Sequence, residues 1–464
     1  MSLDISGFHD NVEAASVSIY VTNNHPLLKL ANMIPWLVFM EMILKDLKNT
    51  TAKSCWWMGR KLKVRVHLAV FILQKLYNLT DRKAEYGLRD NAAYQLFCGV
   101  NIVEEWRVPD HTKIEEFRNR LSPETQRSIA NEIAKVAVTL GFADPAQTDF
   151  DSTVQEANIS YPSDATLMTK LAGLGKKVVD HLKEKTRNFV PESLNFDMKR
   201  IKEIARSYFF MAKNTAIEKR RQVFSQLHHF VKHQMYPIID LCAKLDPRRL
   251  ARVPWNVRRA IDQITNLARR YLLDVAHFAR TNTIKIGKIL SFHAHAVACI
   301  QKGKVGKLRE FGRIFQLGRI KGNFLFVLES TSLQMNDKKS FMPLLLEHEK
   351  LFGKGSLESV ATDKGYWSSK NFKGAIKLGV QDVGLQHPIN VKSPSGQNTQ
   401  KLDGLRDRRA GIEPLIGHTK HGGQLGRSRM KSDTATLAAG YGSVLGFNMR
   451  QLIRHQGGKM SEAE

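Results

Sequence analysis

Three acidic residues stand at positions from which carboxylates can reach a common cleft. Asp151 lies in the alternating segment "DFDSTV", Asp363 ends an apolar segment in "ATDKGYW", and Glu413 lies in "RRAGIEPLIGHTK". Residues at the ends of sheet strands converge on a shared crevice. Carboxylates gathered there repel one another unless cations are present. Magnesium takes oxygen ligands, and two ions about 3.5–4 Å apart can clamp the attacking and leaving oxygens of a phosphoryl transfer. These acids therefore predict two Mg²⁺ ions, with Mn²⁺ as a substitute.

Each acid also has a structural alternative. Asp151 could cap a turn through its neighbour Ser152, and Asp363 belongs to "TDKG", which has turn-forming residues. Glu413 could form a salt bridge with Arg409 or Lys420. Any one acid taken alone fits the structural role, whereas the three together, in a strongly basic chain, favour the functional interpretation.

The charge of the chain points to a polyanionic partner. Its 464 residues include 71 lysines and arginines against 44 aspartates and glutamates, a net charge of +27. Such an imbalance says little about the fold, and it makes a polyanion the first candidate for a partner. The alternative is a generally basic protein with no role in binding nucleic acid.

Two arginine pairs predict where part of that charge is displayed. Arg258 and Arg259 precede Arg269 and Arg270 by eleven positions. Eleven residues are close to three helical turns of about 3.6 residues each, so both pairs are expected on one helix face. We interpret this face as a surface that follows DNA phosphates, and the alternative is an ordinary solvated face.

The elements that must position the acids follow from periodicity. A strand is expected through 147–154, and residues 164–290 are helical in pattern. A hairpin split at Lys321 and Gly322 follows, and then a helix, a strand, a helix, a strand and a final amphipathic helix over 440–455. This order predicts an α/β RNase H-like catalytic core, a mixed five-stranded sheet with flanking helices, interrupted by an all-α insertion between its first and second strands.

The N-terminal part is expected to be all-α, with Thr80 as the N-cap of a helix that begins at Asp81 in a helix-turn-helix-like arrangement. The predicted domains are an N-terminal DNA-binding domain over 1–107, a helical connector over 108–145, the catalytic domain over 146–161 and 304–456, the basic helical insertion over 162–303, and a flexible tail over 457–464.

The remaining motifs indicate an intracellular protein without a zinc site. The four cysteines are scattered without a C-x-x-C pair, which fits a reducing cytosol. The N-terminus does not read as a signal peptide, and the longest apolar run, 33–44, is too short to span a membrane. His293, His295 and Cys299 lack a matching fourth zinc ligand, so they are expected to be core or surface residues.

Several of these segments together resemble one family, the bacterial insertion-sequence DDE transposases of the RNase H-like superfamily, in the group named after insertion sequence five. "DSTVQEANISYPSD" resembles the first-aspartate motif and assigns that role to Asp151 rather than Asp149. "ATDKGYWSSKN" resembles the second-aspartate motif. "RRAGIEPLIGHTK" resembles the glutamate motif, with an arginine four positions before the glutamate and a lysine seven after it. Many relatives carry a tyrosine where this chain has Arg406.

The resemblance implies cut-and-paste DNA transposition. The three acids would hold two Mg²⁺ ions for cleavage and strand transfer at terminal inverted repeats, and Arg409 and Lys420 would bind phosphates rather than pair with Glu413. Tyr366 and Trp367 could stack on an unpaired end base or pack between sheet and helix. A homodimer on double-stranded DNA, without a membrane, is expected in the bacterial cytoplasm at the nucleoid. The alternatives are a non-catalytic DNA-binding repressor and a nuclease without strand transfer.

Overall fold

A mixed β-sheet flanked by helices forms the centre of the structure, and a helical segment is inserted after its first strand. The computed structural model describes residues 21–49, 63–100, 108–185, 194, 196–212, 214–285, 287–294, 296–304, 307–330, 336–385 and 399–461.

The strands of this sheet are β1 (Asp144–Glu156), β2 (Ala298–Lys304), β3 (Lys307–Lys321), β4 (Phe324–Val327), β5 (Ser359–Thr362) and β6 (Asp382–Leu385). They lie in the order β2-β3-β1-β5-β6, and β4 pairs with the second half of β3. β1 is antiparallel to β3 and parallel to β5, and β5 is parallel to β6.

The described residues contain six strands, one more than the five predicted. The additional strand is β2, which lies almost wholly within the segment assigned to the insertion. Its sequence, "ACIQKGK", has little apolar alternation, and it forms an edge paired only with β3. An edge strand of this kind lacks the apolar pattern by which a buried strand is recognised in a sequence.

The hairpin predicted at Lys321 and Gly322 is confirmed, because β3 and β4 are antiparallel across these residues. Gly322 has a φ of 96°, which glycine adopts without steric cost. Two buried asparagines then cover the outer edge of β4. Asn448 donates to Leu325 O (2.7 Å) and accepts from Leu325 N (2.9 Å), and Asn131 bonds Val327 in the same way. The edge therefore has no free backbone groups at these two residues.

The helices before the sheet are α1 (Pro26–Met33), α2 (Trp36–Asn49), α3 (Val64–Tyr77), α4 (Asp81–Asp90), α5 (Ala92–Phe97), α6 (His111–Arg120) and α7 (Pro123–Thr139). The predicted N-cap is confirmed, since Thr80 accepts a hydrogen bond from the Lys83 amide. α3 is buried over most of its surface, so α4 and α5 present more of this region to solvent. DNA contact by this region stays a prediction.

The helices after the hairpin are α14 (Asp337–Phe352), α15 (Ser369–Lys377), α16 (Thr399–Ala410), α17 (Ile412–His421) and α18 (Asp433–Ser461). The prediction that the last helix is amphipathic is wrong, because every residue from Tyr441 to Met449 is buried. α18 packs against α3, α7 and β4. A side chain at Gly446 would lie 2.1 Å from the Lys75 carbonyl oxygen, so glycine permits the close approach of α3.

The insertion contains α8 (Asp164–Lys185), α9 (Met198–Phe209), α10 (Ile217–Ala243), α11 (Pro247–Arg252), α12 (Trp255–Gln263) and α13 (Arg269–Thr281). Its apolar side chains form a hydrophobic cluster of their own, separate from the cluster around the sheet. A π-helical turn, Ile264–Ala268, joins α12 to α13.

In the described part of the chain, no single helix is long and apolar enough to cross a membrane. The bent pair of α1 and α2 passes that test jointly, by length and composition only.

Lys75 of α3 gives a first testable prediction. Its side chain runs along Gly442 of α18, with Nζ 4.9 Å from the centre of the Phe71 ring. Burial, and secondarily Arg118, lowers the pKa of Lys75 to about 8. A lysine in the unfolded chain titrates near pH 10.4. The unfolded state therefore binds more protons between these two values, and stability rises with pH there by at most about 1.4 kcal/mol per pH unit.

Lys75→Met removes the buried charge and keeps an unbranched side chain. We expect a higher thermal unfolding midpoint than the wild type at pH 7 and a difference that shrinks from pH 8 towards pH 10.4. Lys83→Met, at an exposed position of α4, is the control and should leave the pH dependence unchanged. The prediction is contradicted if Lys75→Met has a lower thermal midpoint than the wild type at pH 7. It is also contradicted if the difference between the two midpoints does not change with pH.

Candidate active site

Asp151 and Asp363 lie side by side where the parallel pairing of β1 with β5 ends. Phe150 of β1 is in register with Thr362 of β5, and each aspartate is the next residue of its chain segment. β1 is held at this point by Phe150, which is fully buried against Phe326 and Phe341. The sheet therefore carries both carboxylates to one place, although 211 residues separate them in the sequence.

Glu413 reaches the same place from a helix. It is the second residue of α17, and Pro414 follows it in the first helical turn. This confirms the prediction that the glutamate stands at a helix start. Gly411 separates α16 from α17, and a side chain there would lie 2.0 Å from Arg319 Nη1. The tight junction sets α17 directly against β1.

A cleft of about 950 Å³ contains all three acids. Its wall also includes Asp337 at the start of α14, an acid that the sequence analysis missed. Gln316 of β3 donates to Asp337 Oδ1 (2.8 Å) and orients it. The signal was present, because Asn336 caps α14 and marks the next residue as the first of a helix. The cleft thus has four acidic residues, and four basic residues also line it, namely Lys338, Lys364, Arg409 and Lys420.

The guanidinium group of Arg409 lies among the three predicted ligands. Its Nη2 is 2.9 Å from Asp151 Oδ2 and 4.0 Å from Asp363 Oδ2, and its Nη1 is 3.0 Å from Glu413 Oε1. The prediction that Arg409 would not pair with Glu413 is therefore wrong for the protein without DNA. Lys420, the other predicted phosphate contact, lines the cleft. Its role stays a prediction.

The structural alternatives for the two aspartates are also realised. Asp151 Oδ1 accepts from the Ser152 amide (2.8 Å), and Asp363 Oδ1 accepts from the Lys364 amide (2.6 Å). These bonds use one oxygen of each carboxylate and fix its orientation. The second oxygen of each is the one nearest Arg409, so the turn role and a role in the cleft are compatible.

Burial raises the pKa of Asp151 above its usual value, and Arg409 offsets part of that increase. Asp363 and Glu413 add a smaller increase because like charges repel. The side chain of Asp151 is 16 % exposed, against 51 % for Asp363 and 62 % for Glu413. Asp151 is therefore the carboxylate that depends most on a nearby cation.

Asp149, two residues before Asp151, has a different role. Arg408 Nε donates to Asp149 Oδ1 (2.8 Å), and Arg319 of β3 lies 3.6 Å from Oδ2. Arg408 also donates to Ser359 Oγ (2.8 Å) and to the Thr148 carbonyl (3.2 Å). Arg408 thus joins the end of α16 to both β1 and β5. This clamp was not predicted, because its partners are far apart in the sequence.

Tyr366 cannot stack on a DNA base in this structure, which corrects that prediction. Its side chain is fully buried, and its hydroxyl donates to Gln316 Oε1. Burial raises the pKa of Tyr366 far above its usual value, so the hydroxyl stays protonated. Trp367 is partly buried, lies on the wall of the cleft and contacts Phe372. Stacking by Trp367 stays a prediction.

The two arginine pairs of the insertion do not form the continuous face that their spacing predicted. The π-helical turn between them changes the helical register. Arg258 donates to the Ala251 carbonyl and Arg259 to the Lys431 carbonyl. Arg269 pairs with Asp240, whereas Arg270 donates to the Gly287 carbonyl. Phosphate contact by the four arginines stays a prediction.

No group of three histidines, cysteines, aspartates or glutamates within the described ranges is placed to hold a metal ion. His293 has both ring nitrogens within hydrogen-bond distance of Ser291 and Asn158, Cys299 is exposed, and His295 lies outside the described residues. In the cleft, the oxygen donors suit magnesium by type. In this structure the guanidinium group of Arg409 lies among them.

Comparisons with known proteins bear on the N-terminal part. Residues 16–120 match a family model described as "Transposase domain (DUF772)". The match ends before the three acids and supports a transposase-related function for the chain. A Rhizobium meliloti protein, "Uncharacterized protein ORF8 in nfe locus", is 23 % identical over 218 residues, which cover 46 % of this chain and 90 % of that protein. No solved structure matches significantly.

Proposed function

We propose that the chain is a DDE transposase with an RNase H-like catalytic core, which cleaves DNA at the ends of an insertion sequence and joins them to a target. The observation that carries the proposal is the position of Asp151 and Asp363 where the parallel pairing of β1 with β5 ends, with Glu413 entering the same cleft from α17. The match of residues 16–120 to a transposase domain supports it independently.

The strand order supports the proposed fold class. In the described sheet, β1 lies between an antiparallel neighbour, β3, and a parallel neighbour, β5, and β3 forms a hairpin with β4. We infer that β2 and the insertion are additions to this core, since the insertion has its own hydrophobic cluster.

The residues of the cleft have distinct roles under this proposal. Asp151, Asp363 and Glu413 would bind Mg²⁺, which supplies charge neutralisation for phosphoryl transfer when it is bound. Lys338, Lys364 and Lys420 are placed on the wall of the cleft to attract the DNA backbone. Arg408 holds α16 against β1 and β5, so it positions the cleft without touching DNA.

One experiment tests the proposal. The purified protein is incubated with Mg²⁺, a target plasmid and labelled DNA that carries both sequences flanking the chain's coding region. The variant Asp363→Asn is tested in parallel under the same conditions. We expect joined products from the wild type and none from the variant, because a catalytic ligand is lost. Full activity of Asp363→Asn contradicts the assignment of the metal ligands.

The same assay separates the alternatives. Cleavage without joining would favour a nuclease that has the same core. Binding of the flanking DNA without cleavage would favour a repressor derived from a transposase. Thermal unfolding of both proteins serves as the control for folding, because Asp363 is half exposed and its replacement should change the midpoint little.

A further inference from the structure

Arg409 provides the cleft with a cation of its own. The guanidinium group is within 3.0 Å of oxygens of two carboxylates and 4.0 Å from the third. Its side chain and that of Asp151 are each only 16 % exposed, so this pair is enclosed, whereas Asp363 and Glu413 are more exposed. Metal ions bound by Asp151, Asp363 and Glu413 would need the same carboxylate oxygens. Arg409 and the metal ions therefore compete for one position.

The arginine is an incomplete counter-ion. Its single charge is shared among three carboxylates, and its Nε is buried without a hydrogen-bond partner among the described residues. A buried polar group that lacks a partner costs free energy. A phosphate offers the planar guanidinium group a charged acceptor that can accept two parallel hydrogen bonds, which satisfies more of its donors.

The end of α16 that carries Arg409 is anchored by contacts that do not involve the Arg409 side chain. The neighbouring Arg408 ties the end of α16 to Asp149 and Ser359. Rotation of the Arg409 side chain therefore needs no movement of the helix. The exchange of its partners from carboxylates to a phosphate is a local change within the cleft.

We propose that Arg409 takes the place of the metal ions in the DNA-free protein and that a DNA phosphate draws it away, so that DNA and metal bind cooperatively. This inference rests on the proposed function. Linkage requires the effect to be reciprocal, because DNA raises metal affinity by the same factor by which metal raises DNA affinity. A coupling of about 5–150-fold is the usual range for such effects.

The test measures Mn²⁺ binding by electron paramagnetic resonance, with and without a saturating short DNA duplex of arbitrary sequence. For the wild type we expect weak Mn²⁺ binding alone and binding at least about fivefold tighter with the duplex. For Arg409→Gln we expect tight binding already without DNA and no further increase with it. Arg406→Gln, an exposed arginine on the same helix, is the control for the loss of one charge and should behave like the wild type.

Folding is checked separately, because Arg409→Gln leaves three carboxylates without their cation. We expect its thermal midpoint to fall without metal and to recover with Mn²⁺ more than that of the wild type. Arg409→Lys keeps the charge but not the planar fork, so we expect its coupling to be reduced but present.

Equal Mn²⁺ affinities for the wild type and Arg409→Gln, with the same increase on adding DNA, would overturn the inference and leave the proposed function intact. Absence of Mn²⁺ binding in every protein, with and without DNA, would overturn the metal site and with it the proposed function.

Discussion

Asp151→Asn is expected to reduce the joining of DNA ends about 10³-fold or more, because a lost metal ligand removes several kcal/mol of charge stabilisation from the transition state. The protein should remain folded. Burial disfavours the charged form of Asp151, so a neutral residue of the same shape relieves part of that cost while it weakens the bond to Arg409. The measurement is the rate of joined product, with the thermal midpoint recorded alongside.

Asp407→Asn is the matched control for the joining rate. Asp407 is an exposed acid of α16, and it does not line the cleft. Its replacement removes one negative charge, as Asp151→Asn does, and should leave joining unchanged. Equal joining rates for Asp151→Asn and the wild type would show that Asp151 is not one of the catalytic residues.

Arg408→Met is expected to destabilise the protein more than any other substitution considered above. Asp149 would then be a buried carboxylate that is 3 % exposed and retains only Arg319 at 3.6 Å. Removal of one partner of a buried ion pair costs about 3–5 kcal/mol. In a domain of 150–250 residues this corresponds to a fall of about 6–20 °C in the thermal midpoint.

Two further variants complete this test. Arg406→Met changes an exposed arginine of the same helix and should alter stability by less than about 0.5 kcal/mol. The double variant Arg408→Met with Asp149→Asn should be more stable than additivity predicts, since the uncompensated charge is absent. If the losses in the free energy of unfolding of the two single variants add up to that of the double variant, Arg408 stabilises the fold through its bonds to Ser359 and Thr148 alone.

Features with local signals could be predicted from the sequence. The helix start at Thr80 follows from a side chain that accepts a bond three residues ahead, and the hairpin follows from a glycine between two apolar runs. Pro414 placed Glu413 at a helix start for the same kind of reason. In each case the residues that decide the structure are neighbours in the chain.

Features that depend on distant partners could not be predicted. The spacing of the arginine pairs assumed a regular α-helix, and the π-helical turn changes the register. The last helix was expected to be amphipathic because its sequence does not reveal that α3, α7 and β4 surround it. Arg409 was assigned to DNA by the family resemblance, and its pairing with Asp151, which lies 258 positions away, has no local signal in the sequence.

The insertion also bears on how the chain folds. β1 ends at Glu156, and its antiparallel partner β3 begins only after the whole insertion and β2. Closing so long a loop in a disordered chain is slow. The chain loses conformational entropy when the loop closes, before contacts between its distant residues contribute stabilising free energy. A segment with its own hydrophobic cluster can fold first and bring its two ends together. Substitutions in that cluster, far from the cleft, are therefore expected to slow the maturation of the catalytic sheet.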